Sequence, residues 1–424
     1  MKYADIIVVG AGAAGLVAAG RAASGGRKVL LLERNEKVGR KIAITGKGRC
    51  NVTNAATGRD FAANIVTGGR FLYSALARFS SEDLMRLIEE NGTPLKTERG
   101  GRVFPVSDSS FDIIDALLRY AKKNGAGLRT GVEVKTVRGA APGGKERFVL
   151  GTSDGEYGCR ELVLATGGLS YPVTGSDGAG YRFAKALGHT LVPARPGLIP
   201  LETKEKWVAE LTGLTLKNVG LRVTLDGAAV EKDFGELSFA PFGVTGPLVL
   251  TASSLLGARL AAEGRGYGDG VQLHLDLKPA LTEEELDKRL RREFTEGAKA
   301  PLRQILAELL PHKMIAAALT LTGLSGEKKG AEISKAERTA LRTFLKDLVL
   351  TVTGPRPIEE AVITAGGIPT AEVDPKTMES KRCEGLYLAG ELLDIDALTG
   401  GFNLQLAFST GYSAGEALRT KEEA

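Results

Sequence analysis

The chain has 424 residues, with 56 Lys and Arg against 51 Asp and Glu, a net charge of +5, and 43% hydrophobic residues. That length implies two or three domains, and the composition is that of a folded globular protein. Dispersed basic residues argue against nucleic acid as a partner, three scattered cysteines against a disulfide framework, and three isolated histidines without a Cys-x-x-Cys against a zinc or iron–sulfur centre.

No stretch reaches the roughly 18 charge-free apolar residues of a membrane span, so a cytoplasmic, membrane-free protein is expected. Ile6-Ile7-Val8-Val9 reads as a buried strand running into Gly10-x-Gly12-x-x-Gly15, which opens an alanine-rich helix. A second strand, Lys28 to Leu32, is closed by Glu33. Gly10 permits the tight turn, Gly12 lets backbone approach a pyrophosphate, and Gly15 lets helix and strand pack closely. The phosphates then sit on the helix N-terminus, where free N–H groups and the macrodipole favour negative charge. Glu33 follows Gly10 by 23 positions, near the roughly 20-residue offset of a carboxylate that binds ribose hydroxyls. A lone glycine motif is weak. Here it follows a strand, opens a helix and has its acid in place, so a dinucleotide site is expected.

Next comes a glycine- and lysine-rich loop, Val38 to Asn54, too polar to be core. Helical periodicity returns at Ser81 to Asn91 and at Ser110 to Asn124, followed by strands at Gly131 to Val137, Phe148 to Thr152 and Glu161 to Ala165. Pro193, Pro196 and Pro200 read as a linker into a β-rich domain with strands near Leu221 to Leu225, Val230 to Phe239 and Val271 to Leu277. Helices starting at Thr282, Pro301, Pro311 and Ser334 follow. Past Pro355-x-Pro357, the strand Gly385 to Gly390 ends in Glu391, and Gly400-Gly401-Phe402-Asn403 opens the last helix. The predicted division is therefore 1–192, first part of a dinucleotide domain; 193–278, β-rich substrate domain; 279–356, helical subdomain; and 357–424, second part of the first domain. The fold class is α/β, a Rossmann-like domain with insertions.

Several motifs together resemble one bacterial flavoprotein family, the NAD(P)/FAD-dependent, aminoacetone-oxidase-like oxidoreductases, which include bile-acid double-bond reductases. They are the N-terminal fingerprint, Gly48-Arg49-Cys50-Asn51-x-Thr53-Asn54, Thr174-Gly175-Ser176-Asp177-Gly178, Thr364-Ala365-Gly366-Gly367-Ile368, Thr377-Met378-Glu379-Ser380-Lys381, and Gly390 to Asn403. The resemblance spans nearly the whole chain and implies bound FAD of the two-dinucleotide-binding type. By it, Gly10, Gly12, Ala13, Ala14 and Gly15 hold the pyrophosphate, Glu33 and Arg34 lie at the adenosine ribose, and Val134 sets backbone beside adenine. Arg40, Lys41, Gly48, Arg49, Cys50 and Asn51 lie along the dinucleotide, with Thr166 and Gly167 close by. Gly390, Glu391 and Asp394 lie at the ribityl chain, and Gly401, Phe402, Asn403 and Leu404 aim a helix N-terminus at the flavin pyrimidine edge. Ala240-Pro241 stands where the family commonly has Thr-His, and Phe402 where it often has Tyr.

The expected activity is reduction of an unsaturated carbonyl-type small molecule through flavin N5, with NADH or NADPH as a transient reductant, since no second Gly-x-Gly-x-x-Gly exists. An oxygen-using amine oxidase and a non-catalytic flavin-binding sensor or accessory protein are the alternatives. Tyr171, Tyr181, His189 and Arg195 are candidate proton donors or substrate contacts, against core, capping or hinge roles. Cys50 beside Arg49 is either a reactive thiol or a packing residue, the latter being expected. No metal is expected. Substrate identity and oligomeric state are left open.

Overall fold

A computed structural model describes residues 1–141 and 144–421. It divides into two compact units, residues 1–197 with 357–424, and residues 198–356.

The first unit is built on a seven-stranded sheet. Strand β1 (Lys2–Val9) leads into helix α1 (Ala13–Ala23), and β2 (Val29–Leu32) returns parallel to β1. Gly127–Arg129 extends the sheet beyond β2, and Gly155–Leu164 lies parallel on the other side of β1. Phe148–Thr152 and Val134–Gly139 add antiparallel strands, and Leu386–Leu388 joins in parallel beside Gly155–Leu164. Chain from the far end thus completes the sheet begun at residue 2.

Every residue of α1 except Arg21 is buried, as its alanine-rich sequence dictates. The final helix, Phe402–Thr420, packs on it at backbone distance. A methyl group on Gly411 would lie 2.3 Å from the Ala14 carbonyl oxygen, and one on Gly415 2.6 Å from that of Ala18. Glycines therefore set this helix pair, and Leu16, fully buried between helix and sheet, would cost about 2–5 kcal/mol on truncation to Ala.

The helix expected at Ser81 runs Ser81–Glu90, with Ser80 and Asp83 forming a reciprocal capping box. The loop expected at Val38 to Asn54 contains two short helical turns, Arg40–Ile44 and Thr45–Gly48, with Gly46 and Lys47 both in left-handed conformation. The proline-rich linker is strand for most of its length: Val192–Gly197 pairs with Ile363–Gly367 inside the first unit. Prolines are tolerated there because a two-stranded ribbon is all edge.

In the second unit, six strands close a barrel in the order Leu201–Thr203, Gly243–Thr245, Ala228–Ala240, Thr215–Leu225, Val271–Asp276 and Leu348–Pro355. The helices between Asp276 and Leu348 share its core: Leu286, Leu290, Leu341 and Leu345 cluster with Leu273 and Leu350. Residues read as a β-rich domain and a helical subdomain thus belong to one core, because the last barrel strand follows the helices. Pro247–Glu263 is a helix the periodicity did not announce; its leucines and alanines face several sides, leaving little polar contrast. Among the described residues no helix is long and apolar enough to cross a membrane.

Candidate dinucleotide site

Gly10, at φ +101°, donates its N–H to the Leu32 carbonyl at 2.8 Å, and a methyl group on it would lie 2.5 Å from the Ala165 carbonyl oxygen. One on Gly15 would lie 1.8 Å from the Gly10 carbonyl oxygen. Packing alone requires both glycines. Gly12 differs: its backbone is extended at φ −89°, and a methyl group there would meet nothing within 4 Å. Helix α1 has no side-chain cap and no acid in its first turn. The N–H groups of its first turn thus lack a side-chain partner, with open space beside Gly12, an arrangement suited to a phosphate.

Glu33, 8% exposed, accepts from the Ala11 N–H at 2.8 Å through Oε2 and from the Asn35 N–H and side-chain amide at 2.9 and 2.7 Å through Oε1. A carboxylate has about four acceptor positions. Three are filled, so one acceptor on Oε2 is left for a ribose hydroxyl.

The two ends of the chain meet at this turn. A methyl group on Gly390, at φ +74°, would lie 3.1 Å from the Ala14 methyl, and the Gly390 N–H donates to the Thr410 hydroxyl at 3.0 Å. Gly401, at φ +97°, lies so close to Thr53 that a methyl group would come 2.3 Å from its carbonyl oxygen. The helix it opens also lacks a side-chain cap and first-turn acid, giving a second unpaired N-terminus. Ala13 is buried in the first turn of α1, Phe402 packs edge-on against Phe61, and Leu404 is half-buried.

Several expected contacts are spent on the protein itself. The Lys41 ammonium bridges both Glu391 oxygens and donates to the Ser170 hydroxyl at 2.6 Å. Ser170 and the Thr364 N–H also donate to Glu391. Arg34 pairs with Glu133 and Asp177, and Arg49 with Glu98 and Asp108 across the Phe104 ring. Arg40 donates to the Asn35 side chain at 2.8 Å. Asn403 closes a loop onto Ala397 through both its amide atoms. Val134 is paired with Thr152 in the sheet, while Gly48 and Gly167 take positive φ beside the loops they turn. Cys50 is fully buried, and burial pushes its thiol up to about 12, which makes it a packing residue rather than a reactive one. Asn51 Oδ1, Thr166 Oγ1 and Asp394 Oδ1 are buried without a hydrogen-bond partner among the described residues. Burial also raises the Asp394 carboxyl, with Arg195 opposing.

The sequence reads His189 as a capping residue more readily than as a proton donor. Its Nδ1 lies 2.8 Å from Glu372 Oε2 and its Nε2 2.7 Å from Ser380 Oγ, an acid–imidazole–hydroxyl line. Ser380 Oγ, however, already accepts the N–H groups of Arg382 and Cys383 at 3.0 and 2.9 Å, so no lone pair remains for nucleophilic attack. Both ring nitrogens of His189 are committed and its side chain is inaccessible, the arrangement of a residue that ties loops together. Tyr171 is held at φ +52° at the start of a short turn, and Tyr181 is buried with a partnerless hydroxyl. Arg195, on the two-stranded ribbon, acts electrostatically on the buried carboxyls of Asp394 and Asp396. Thr364 and Asp396 lie inside the quoted motifs, Asp396 with Asp394 being read as a cofactor contact or a helix cap, whereas nothing local in the sequence marks Ser170 or Glu372.

Comparison with known proteins adds family to geometry. Residues 4–417 match the sequence profile described as HI0933-like protein Rossmann domain. The chain is 31% identical over 412 residues to a 3-dehydro-bile acid delta(4,6)-reductase of Clostridium scindens, covering 97% of this chain and 98% of that protein. It is also 31% identical over 414 residues to a ribosomal RNA dihydrouridine synthase of Haemophilus influenzae, covering 97% and 98%. Among solved structures, a 3-ketosteroid-delta4-(5alpha)-dehydrogenase from Rhodococcus jostii aligns with a TM-score of 0.50 at 14% identity, over 99% of this chain and 97% of that one. At that identity the likeness is one of fold.

Proposed function

The chain belongs to the HI0933-like Rossmann-domain family, and from that premise we propose that it is an FAD-dependent oxidoreductase that reduces a carbon–carbon double bond conjugated to a carbonyl. The observation that carries the cofactor assignment is Gly12, whose backbone faces open space at an uncapped helix N-terminus with the Gly390 turn packed against the same helix. Gly10 to Gly15 would hold the pyrophosphate, the free Oε2 acceptor of Glu33 a ribose hydroxyl, and the N-terminus at Gly401 to Leu404 the electron-rich edge of the flavin. When bound, FAD supplies hydride transfer; the chain orients it and stabilises charge.

The substrate class rests on what the relatives' names share. A delta(4,6)-reductase of 3-dehydro-bile acids and a synthase of dihydrouridine both saturate a double bond conjugated to a carbonyl. Each such reduction adds a hydride at the far carbon and a proton at the near one. NADH or NADPH is the proposed donor. An unsaturated carbonyl small molecule is the first reading of the acceptor; uridine in ribosomal RNA is the second, favoured by the two dihydrouridine synthases among the relatives.

Anaerobic stopped-flow absorbance tests this reading. NADH or NADPH should bleach the flavin band, and a 3-keto-4-ene steroid or a uridine-containing rRNA fragment should restore it faster than oxygen does. Absence of bleaching with either nucleotide would discard the nicotinamide donor, and recovery with oxygen alone would discard the reductase.

A further inference from the structure

Arg195 stands on the ribbon strand Val192–Gly197, opposite Ala365 and next to the Pro196–Thr364 pair. The ribbon is bonded to the loop that leads into the last helix: the Ile368 N–H donates to the Leu392 carbonyl at 3.0 Å, and the Asp394 N–H to the Ile368 carbonyl at 2.9 Å. Two residues on, Asp396 lies opposite Thr67, and Ala397 is tied through Asn403 to the first turn of that helix. Arg195, Asp394 and Asp396 thus belong to one hydrogen-bonded frame with the Gly401 N-terminus assigned to the flavin edge.

The three groups act on one another electrostatically, yet none bonds another. Asp394 Oδ1 and both carboxyl oxygens of Asp396 are buried without a hydrogen-bond partner, and the half-buried Arg195 guanidinium makes no hydrogen bond or ion pair among the described residues. Burial presses both carboxyls toward the neutral form, with Asp394 adding to the effect at Asp396; Arg195, the Thr67 hydroxyl and backbone at Gly366 oppose it only in part. Neutral acids leave the guanidinium charge uncompensated. A planar fork of five N–H donors, none engaged by the protein, suits a ligand oxygen that gains charge.

We propose that Arg195 receives the carbonyl oxygen of the acceptor, an inference that rests on the reductase reading above. The far carbon of the conjugated double bond takes hydride from the reduced flavin, the electron pair moves onto that oxygen, and Arg195 holds the resulting enolate. The pair returns as the near carbon takes a proton from water. A steroid ring ketone and the conjugated carbonyl of uracil present the same oxygen, so the contact serves either acceptor.

Full-length, flavin-loaded Arg195→Met and Arg195→Lys test it. The flavin is reduced anaerobically with stoichiometric dithionite, then mixed with a 3-keto-4-ene steroid, a uridine-containing rRNA fragment or oxygen. Arg195→Met should slow reoxidation by the acceptor that the parent uses at least about 100-fold, the effect of removing one oxyanion donor. Reoxidation by oxygen, flavin content and melting temperature should not change, because Arg195 bonds nothing in the protein. Arg195→Lys keeps the charge without the fork and should fall between parent and Arg195→Met. Pentafluorophenolate, an ionised mimic of an enolate, should shift the flavin band of the parent saturably, and Arg195→Met should weaken that binding at least about tenfold. Acceptor reoxidation or phenolate binding in Arg195→Met equal to the parent's overturns the proposal and leaves the reductase reading intact, as does loss of flavin and stability in both variants. A parent that neither acceptor reoxidises overturns that reading and the proposal with it.

Discussion

The ammonium of Lys41 lies 2.7 and 2.9 Å from the two carboxylate oxygens of Glu391, joining residues 350 positions apart. Their side chains are 25% and 20% exposed, so the pair is neither a surface ornament nor fully desolvated. Lys41→Met would leave Glu391 with only the Ser170 hydroxyl and Thr364 N–H, and should cost about 1–3 kcal/mol in urea denaturation. Adding Glu391→Gln to it should cost less than the sum of the single changes, as coupled partners do. Additive losses would show that the contact contributes nothing.

Acid should loosen the lock around His189. Burial pushes Glu372 up, but hydrogen bonds from Thr190, His189 and Arg382 outweigh it and hold its carboxyl at about 2. Burial lowers His189 from its ordinary 6.5, with Glu372 opposing. Both folded-state values lie below the unfolded ones, so the native state binds fewer protons than the unfolded one. The stability this pair contributes is fully present above about pH 6.5 and is lost as pH falls toward 2. Melting temperature followed from pH 8 to pH 3 should fall in this window, and Glu372→Gln should flatten the decline. An unchanged slope in that variant would remove the pair from the account.

Thiol chemistry should be confined to one cysteine. Burial raises all three thiols, but Cys50 and Cys159 are inaccessible whereas Cys383 is half-exposed. Iodoacetamide at neutral pH should label Cys383 slowly and the other two only after unfolding, as read by peptide mass spectrometry. Native labelling of Cys50 would restore it as a reactive residue.

What could be read along the chain was local. The β1–α1–β2 unit, its three glycines and Glu33 carry spacing signals, and the helices at Ser81, Thr282 and Ser334 carry capping boxes visible as Ser or Thr followed by an acid three residues on. Illegible were partners far apart in sequence. Nothing near Arg49 announces Glu98, nothing near His189 announces Glu372, and the barrel closes only because the strand at Leu348 pairs on one side with Val271–Asp276 and on the other with Leu201–Thr203. Residue types suited to holding phosphate, such as Arg34 and Arg49, are equally suited to pairing with acids, and only the fold decides between the two.

The glycine turn should separate folding from binding. Gly15→Ala places a methyl group 1.8 Å from backbone oxygen and should destabilise the protein by at least about 3 kcal/mol. A variant that melts like the parent would mean that α1 and β1 pack less closely than described.

The most direct test of the central claim is the FAD content of purified Gly12→Val, measured by flavin absorbance and chromatography of the released cofactor, beside its melting temperature. Gly12 has extended backbone and open space before it, so the variant should fold while its side chain occupies the place of the pyrophosphate. The parent should hold FAD stoichiometrically, and Gly12→Val should be a folded protein that has lost it. A folded Gly12→Val retaining FAD at the parent's level would contradict it.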